Sequence, residues 1–299
     1  MTQPNPTQPI RLIAVDLDNT LLNSQHQMSE RTEKTLKAAA AAGVHVVLAT
    51  GKTYQAGSVI SRKLGLTSPG IYVQGTTVYN SDGSLRSQST LEPRIVRQAL
   101  TFAEDRGYAM AIYTGTRILV RQFDARVEEL TTHYHEPSPE VVGSLQNLLD
   151  SVPVNKLLAV YPNDARRVTA LRWQLNMQIN GAARLMQAGV DDMLELLPNG
   201  VSKGSALKTI AKEMGIPASQ IMAIGDAEND VEMVQFAGLG VAVGNASAHL
   251  KEIADVVVAS NDDDGVAEAV ERYVLDALKP AAVAEAPKPE EMSEVNKPA

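Results

Sequence analysis

The chain of 299 residues is long enough for one large or two ordinary domains, and its 44% hydrophobic content can fill a substantial core. A net charge of −8 without an evident basic patch argues against nucleic-acid and anionic-membrane partners. The absence of cysteine excludes a disulfide, a thiolate metal site and a cysteine nucleophile. Apolar runs fall short of the about 18 residues of a membrane span, and residues 1–9 lack an apolar signal core, so we expect a cytoplasmic protein.

Up to about residue 85, short apolar runs alternate with amphipathic stretches, which is typical of a parallel α/β sheet. In chain order this pattern predicts a strand at 12–15, a helix at 29–42, a strand at 44–49, a helix at 54–64 and a strand at 71–73. A hairpin with Ser81-Asp82-Gly83 at its turn follows the third strand.

The pattern changes between residues 86 and 196, where paired strands surround helices, and the α/β alternation resumes from residue 197. Paired strands around helices predict an α+β unit with an antiparallel sheet. We therefore predict a Rossmann-like, doubly wound parallel-sheet core with an inserted α+β cap domain. The predicted limits are 10–85 and 197–278 for the core, 86–196 for the cap, and 1–9 and 279–299 for disordered tails.

Polar residues follow several of the predicted core strands. Asp16 and Asp18 come at the end of the first strand, where open α/β sheets bind their ligands. One carboxylate can act as a nucleophile while the other moves a proton, and together they can bind Mg²⁺. An isolated Asp-x-Asp is more often a turn, but Thr50-Gly51, Lys203 and the segment 225–230 place further polar groups at other strand ends. Thr50 and Gly51 lie at the start of a helix, where anions are favoured.

This set of segments resembles the haloacid dehalogenase superfamily of phosphohydrolases. The matching motifs are Asp16-x-Asp18-x-Thr20, Thr50-Gly51, Ser202-Lys203-Gly204 and Gly225-Asp226-x-x-Asn229-Asp230. The resemblance covers the chain from Arg11 to about Leu275, and the segments 240–246 and 260–265 are similar to the Cof-type branch. That branch carries its large cap between the Thr50 region and Lys203, where the α+β insertion is predicted.

The resemblance implies a role for each motif residue. Asp16 would be the nucleophile that forms an aspartyl-phosphate, and Asp18 the general acid and base. The residues implied to contact the phosphate or substrate are Leu17, Thr50, Gly51, Lys203 and Asn229. The implied ligands of a Mg²⁺ ion are Asp16, the main-chain carbonyl of Asp18, and Asp226. Asp230 would orient its neighbours, Lys203 included, and Asn245 is a candidate for the pocket lining by its position after a strand.

Three positions depart from the branch pattern. Asn19 stands where glycine is commoner, Lys52 where arginine is usual, and Gln74 where asparagine is usual. Lysine and arginine bind anions differently, because only arginine offers a planar fork of donors. These departures bear on substrate contacts rather than on the aspartyl chemistry.

We predict a Mg²⁺-dependent phosphatase that hydrolyses a small phosphorylated metabolite through an aspartyl-phosphate. A sugar phosphate is the leading substrate class, followed by a nucleotide or cofactor phosphate such as FMN or pyridoxal phosphate. A phosphomutase and a non-catalytic binding module are the alternatives. Specificity residues should lie on the cap, because its closure would exclude water and shape the pocket. We expect a monomer or homodimer.

Overall fold

The computed structural model describes residues 8–132, 134–161, 164–187 and 192–278. The predicted disorder of residues 1–7 and 279–299 lies outside the described residues. The strands are β1 (Leu12–Val15), β2 (His45–Leu48), β3 (Gly70–Tyr72), β4 (Thr77–Tyr79), β5 (Leu85–Gln88), β6 (Ala109–Thr114), β7 (Arg117–Val120), β8 (Glu140–Val141), β9 (Lys156–Val160), β10 (Arg184–Met186), β11 (Met193–Leu197), β12 (Ile221–Gly225), β13 (Leu239–Ala242) and β14 (Val256–Val257). The α-helices are α1 (Glu30–Ala41), α2 (Tyr54–Leu64), α3 (Pro93–Glu104), α4 (Ala125–Thr132), α5 (Ala165–Ile179), α6 (Lys203–Glu213), α7 (Val231–Phe236), α8 (Ala248–Ile253), α9 (Gly265–Val270) and α10 (Asp276–Leu278).

A five-stranded parallel sheet in the order β14-β13-β12-β1-β2 forms the centre of the core. Strand β1 reads Leu-Ile-Ala-Val and is completely buried, as expected for a parallel strand covered on both faces. Because β1 lies between β12 and β2, the segments that follow these three strands meet at one edge of the sheet. The predicted parallel α/β core is confirmed.

A six-stranded sheet in the order β10-β11-β9-β6-β7-β8 forms the insertion, together with α3, α4 and α5. Its neighbouring strands are antiparallel except for β8, which pairs parallel with β7. Parallel pairing requires a crossover, and α4 lies in the connection between β7 and β8. The predicted α+β insertion is confirmed, with a mixed sheet where a fully antiparallel one was expected.

The two faces of the cap sheet have different partners because side chains alternate along a strand. Along β9, Leu157 and Ala159 pack into a hydrophobic cluster with α3 and α5. Leu158 and Val160 face the other way and share a cluster with Tyr72 and residues of α4. The second face of the cap sheet is therefore directed at the core, and polar residues on it can reach the core sheet's edge.

The predicted domain limits fall inside strands. The limit at 85/86 lies within β5, which pairs with β4, and the limit at 196/197 lies within β11. The division of the chain at these residues stays a prediction. Within the described part of the chain, no helix has the length and apolar character needed to cross a membrane.

Candidate active site

The segment after β1 turns sharply and places two carboxylates, Asp16 and Asp18, at the wall of one cavity. Asp16 is extended, with φ −73° and ψ 162°, and Leu22 N–H donates to the Leu17 carbonyl 2.8 Å away. The turn passes through Asn19, which has a φ of 57°. Glycine and asparagine are the residues that most readily adopt this left-handed conformation. Asn19 can therefore replace the more usual glycine without altering the path of the turn.

Lys203 lies between two buried carboxylates. Its Nζ atom is 2.7 Å from Oδ1 of Asp16 and 2.8 Å from Oδ1 of Asp230. Lys203 is the first residue of α6, where a cation opposes the helix dipole. Burial lowers the pKa of Lys203, but the charges of Asp16 and Asp230 outweigh burial and hold it above its ordinary value. The lysine is therefore a fixed positive charge beside the candidate nucleophile.

Asp226 comes at the end of β12, opposite Asp16. Its Oδ1 accepts a hydrogen bond of 2.8 Å from the Thr20 hydroxyl, which ties the two strand ends together. Asp230 is completely buried, and its Oδ2 accepts hydrogen bonds from the backbone N–H groups of Asp226 and Ala227. The contacts of Asp230 agree with the predicted orienting role, which stays a prediction.

The donor set fits a divalent cation. Oxygens of Asp16, Asp226 and Asp230 lie within 4.8 Å of one another. Burial raises the pKa of Asp16 well above its usual range, and burial together with the charge of Asp230 raises the pKa of Asp226 to about 7. Three carboxylates thus share one ammonium, and Mg²⁺ prefers such oxygen ligands. Both oxygens of Asp230 already accept hydrogen bonds, so Asp16 and Asp226 are the better side-chain ligands.

Asp18 points into the cavity beside this cluster and is one-third exposed. Nζ of Lys52 lies 3.2 Å from its Oδ1, and Nδ1 of His26 lies 3.5 Å from the same atom. Lys52 also donates a hydrogen bond to the carbonyl oxygen of Tyr134, which belongs to the insertion. The lysine that replaces the usual arginine therefore joins the candidate general acid to the cap.

The Thr50-Gly51 turn lies next to the cavity, but its relation to the helix differs from our expectation. Helix α2 begins at Tyr54 and is capped by Thr53, so the expectation that Thr50 stands at its start is wrong. The Thr50 hydroxyl accepts the Lys52 N–H at 3.1 Å and is completely buried. Gly51 lines the cavity, and a Cβ atom there would lie 2.7 Å from Nε2 of Gln74.

The other residues predicted to contact the substrate or line its pocket differ in whether their side chains reach the cavity. The Leu17 side chain is completely buried, so only its backbone can face a substrate. Asn229 lines the cavity. Asn245 is absent from the described cavity wall and instead donates a hydrogen bond of 2.7 Å to the carbonyl of Asn19. Asn245 therefore stabilises the turn after β1 and does not line the described cavity.

A cavity of about 300 Å³ separates the acidic cluster from the cap. Its cap-side lining mixes charged groups with apolar and aromatic ones: Tyr113, Leu130, Tyr134, Glu136, Lys156, Leu158, Met193 and Glu195. Sequence reasoning placed specificity on the cap but named none of these residues. A single charged residue at the start of Lys-Leu-Leu-Ala-Val in β9, and another inside Met-Leu-Glu-Leu-Leu in β11, were the available signals.

The charged cap residues are buried and paired. Nζ of Lys156 lies 2.7 Å from Oε1 of Glu195. Glu136 accepts hydrogen bonds from the backbone N–H and the hydroxyl of Thr53, at the N-terminus of α2. Burial raises the pKa of Glu136, while Lys156 and Thr53 act in the opposite direction. A cap carboxylate thus occupies the helix N-terminus for which the sequence suggested a phosphate.

The combination of a parallel core, an inserted cap and a buried acidic cluster agrees with a comparison to known families. The family model described as haloacid dehalogenase-like hydrolase matches residues 13–270. The chain belongs to this family, in its Cof-type branch, and the predicted resemblance is confirmed. It is accordingly a phosphatase of small phosphorylated metabolites.

Several relatives carry this similarity over most of the chain. The chain is 35% identical over 272 residues to the chloroplastic endoribonuclease YBEY of Arabidopsis thaliana, covering 88% of this chain but only 46% of that protein. It is 28% identical to the 5-amino-6-(5-phospho-D-ribitylamino)uracil phosphatase YitU of Bacillus subtilis, covering 88% of this chain and 97% of that protein. A crystal structure of a haloacid dehalogenase-like hydrolase from Bacteroides thetaiotaomicron is 29% identical, with a TM-score of 0.78 over 88% of this chain and 99% of that one.

Proposed function

We propose that this protein is a Mg²⁺-dependent phosphatase that works through a phosphorylated Asp16. The observation that supports this most is the buried pairing of Asp16 with Lys203, 2.7 Å apart, beside the carboxylate of Asp226. A buried carboxylate can attack phosphorus only if the negative charge around it is balanced. Lys203 supplies one such charge, and Mg²⁺ bound by Asp16, Asp226 and the Asp18 carbonyl would neutralise the phosphoryl oxygens.

The two steps use the two acids of the first motif. Asp16 attacks phosphorus, the bond to the leaving oxygen breaks, and Asp18 donates a proton to that oxygen. Asp18 then takes a proton from water, which attacks the phosphoryl group and releases inorganic phosphate from Asp16. Lys52 lies close enough to Asp18 to orient it for both transfers. Thr50, Gly51, Asn229 and the backbone of Leu17 would position the phosphoryl group.

A sugar phosphate remains the leading substrate class. A cavity of about 300 Å³ is at the lower end of ordinary ligand sites and suits a compact molecule. The cap carboxylates Glu136 and Glu195 can accept hydrogen bonds from the hydroxyl groups of a substrate, and Lys156 can donate hydrogen bonds to such hydroxyl groups. These contacts fit a phosphorylated polyol or monosaccharide.

A phosphate ester that also carries a heterocycle is the second candidate. Leu130, Leu158 and Met193 give one wall of the cavity an apolar surface, with Tyr113 and Tyr134 beside it. Such a wall can pack against a flat ring, which a monosaccharide lacks. The name of the Bacillus subtilis relative describes a substrate of this kind, with a ribityl chain joined to an aminouracil.

A substrate panel with Mg²⁺ tests the proposal directly. Sugar phosphates form one arm, and FMN, pyridoxal phosphate, nucleotides and the ribitylaminouracil phosphate form the other. We expect release of inorganic phosphate that depends on Mg²⁺ and is lost in Asp16→Asn, with folding retained. Isomer formation without phosphate release would indicate a phosphomutase. Full activity of the Asp16→Asn variant would show that Asp16 is not the nucleophile.

A further inference from the structure

A chain of hydrogen bonds runs from the cap sheet to the candidate phosphate site. Lys156 donates to Oε1 of Glu195 at 2.7 Å, and Gln74 Nε2 donates to Oε2 of Glu195 at 2.9 Å. Asn229 Nδ2 in turn donates to Oε1 of Gln74 at 3.1 Å. Lys156, Glu195 and Gln74 are all buried. Two residues of the cap and two of the core therefore form one connected chain.

The direction of every bond in this chain follows from the Lys156–Glu195 pair at its cap end. Lysine only donates hydrogen bonds and an ionised glutamate only accepts them. Glu195 consequently requires the NH₂ group of Gln74, which turns the Gln74 carbonyl oxygen toward Asn229. That carbonyl requires the NH₂ group of Asn229. The orientation of the Asn229 amide is thus determined by a carboxylate on the opposite domain.

The orientation of Asn229 matters because its two amide atoms have opposite polarity. Nδ2 carries two N–H groups, and Gln74 uses one of them. The second can donate to a phosphoryl oxygen, whereas a flipped amide would present its carbonyl oxygen to the anion. The orientation of the Gln74 amide therefore determines whether Asn229 attracts or repels the phosphate.

Local structure is adapted to hold Gln74 in place. Its φ of 61° is in the left-handed region, which is unfavourable for glutamine. Gly51 leaves the space that the amide fills, since a Cβ atom at residue 51 would lie 2.7 Å from Nε2 of Gln74. The extra methylene of glutamine lets one side chain reach both Glu195 and Asn229. The usual asparagine at this position is one methylene shorter.

We propose that Gln74 and Glu195 are positioning residues that set the Asn229 amide to donate to the phosphoryl group of the substrate. The proposal rests on the proposed phosphatase function and on the phosphate contact of Asn229. It assigns a physical purpose to the Gln74 departure and to the buried Lys156–Glu195 pair. Because both cap residues take part, the phosphate site is complete only when the cap lies against the core.

Binding of inorganic phosphate tests the proposal, because this probe has no leaving group that the cap could contact. Calorimetric titration with Mg²⁺ present compares the wild type with Glu195→Gln and Gln74→Asn. We expect each variant to bind phosphate about tenfold more weakly, which corresponds to about 1.4 kcal/mol. Glu140→Gln is the matched control, because Glu140 is an ion-paired glutamate on another strand of the cap sheet, 2.5 Å from Arg117, and is not among the described residues that line the cavity. Its affinity for phosphate should stay within about twofold of the wild type, well below that change.

A double-mutant cycle shows whether Glu195 acts through Asn229. In an Asn229→Ala background, Glu195→Gln should change the phosphate affinity by less than about twofold. Thermal unfolding verifies that each variant is folded. If Glu195→Gln does not fold, the comparison of Gln74→Asn with the wild type tests the proposal.

Three results would overturn the proposal. Wild-type affinity in both Gln74→Asn and Glu195→Gln would show that the chain does not position Asn229. An undiminished effect of Glu195→Gln in the Asn229→Ala background would show that Glu195 acts independently of Asn229. No phosphate binding by the wild-type protein would remove the phosphate contact of Asn229 on which the proposal depends, whereas absence of phosphate release in the substrate panel would contradict the proposed function itself.

Discussion

Lys203 and Asp16 form a buried ion pair, with 2.7 Å between Nζ and Oδ1. The lysine also neutralises Asp230, so its removal would leave two carboxylates buried without a cation. Loss of one partner of a buried pair costs about 3–5 kcal/mol. We expect Lys203→Met to lower the free energy of unfolding by about this amount at pH 8, and to abolish phosphate release.

The deficit of Lys203→Met should depend on pH. Without the lysine, burial and the charges of Asp230 and Asp226 hold the pKa of Asp16 above that of the unfolded chain. The folded state then binds extra protons, so its stability increases as the pH falls from 8 toward 5. Urea unfolding at both pH values measures the effect, with Lys212→Met, on the exposed side of α6, as the control. A deficit that is the same at both pH values would contradict the explanation.

Magnesium binding should compete with protons at Asp226. Burial and the charge of Asp230 raise its pKa to about 7, above the about 3.9 of an unfolded chain. In the metal-free protein this group favours the folded state at low pH, and that contribution is lost as the pH rises through 7. The dissociation constant for Mg²⁺ should therefore increase by up to about tenfold between pH 7 and pH 6.

Calorimetric titrations with Mg²⁺ at pH 6, 7 and 8 measure this competition. Buffers with different ionisation enthalpies reveal how many protons are released when the metal binds. Asp226→Asn should bind Mg²⁺ weakly at every pH and show little of this proton release. An affinity of the wild type that is constant across the range would show that Asp226 is not a ligand.

Lys52 should assist proton transfer by Asp18 rather than substrate binding. Its ammonium lies 3.2 Å from the Asp18 carboxylate and would orient it toward the leaving oxygen. We expect Lys52→Met to lower kcat about tenfold, less than the about 10²–10⁴-fold effect of losing a general acid in Asp18→Asn. The defect should be larger with an alkyl phosphate than with p-nitrophenyl phosphate, whose leaving group needs no proton. An equal defect with both substrates would argue against a role of Lys52 in protonation of the leaving group by Asp18.

The sequence was sufficient to predict the core side of the site because that side is built from strand ends. Asp16 and Asp226 each follow an apolar strand of the core sheet, and parallel strands bring their carboxyl ends to one edge. Lys203 differs, because it begins α6 and the strand before it, β11, belongs to the cap sheet. Short local motifs therefore predict a three-dimensional arrangement. The left-handed turn at Asn19 also depends on the identity of a single residue, because only a few residue types adopt a positive φ.

The cap side of the site could not be predicted in the same way. Lys156 and Glu195 meet because β9 and β11 pair with Glu195 opposite Leu158, and a shift of one residue would turn Glu195 away from the cavity. Alternation of side chains along a strand predicts which residues share a face, but it does not predict which residues of neighbouring strands lie opposite each other. Glu136 lies in a segment without regular structure, so no periodicity indicates where its side chain points.

The turn that contains Gly75 is in backbone contact with the start of α6, where Lys203 lies. Its φ is 94°, and a Cβ atom there would lie 2.2 Å from the Ser202 carbonyl oxygen and 3.0 Å from the Lys203 nitrogen. An alanine would have to displace the start of α6, and with it the side chain of Lys203. We therefore expect Gly75→Ala to impair both stability and catalysis.

Gly43 provides the matched control for this substitution. Its φ is 88°, but the space around a Cβ atom there is open to 4 Å. Gly43→Ala should lower the free energy of unfolding by only about 1–2 kcal/mol, which is the cost of an alanine in the left-handed conformation. It should leave kcat unchanged. Gly75→Ala should lose more stability than this and lower kcat at least tenfold in the folded protein, which is about 1.4 kcal/mol of transition-state stabilisation. Denaturant unfolding and steady-state kinetics measure both effects, and equal behaviour of the two variants would show that the contact with Ser202 does not position Lys203.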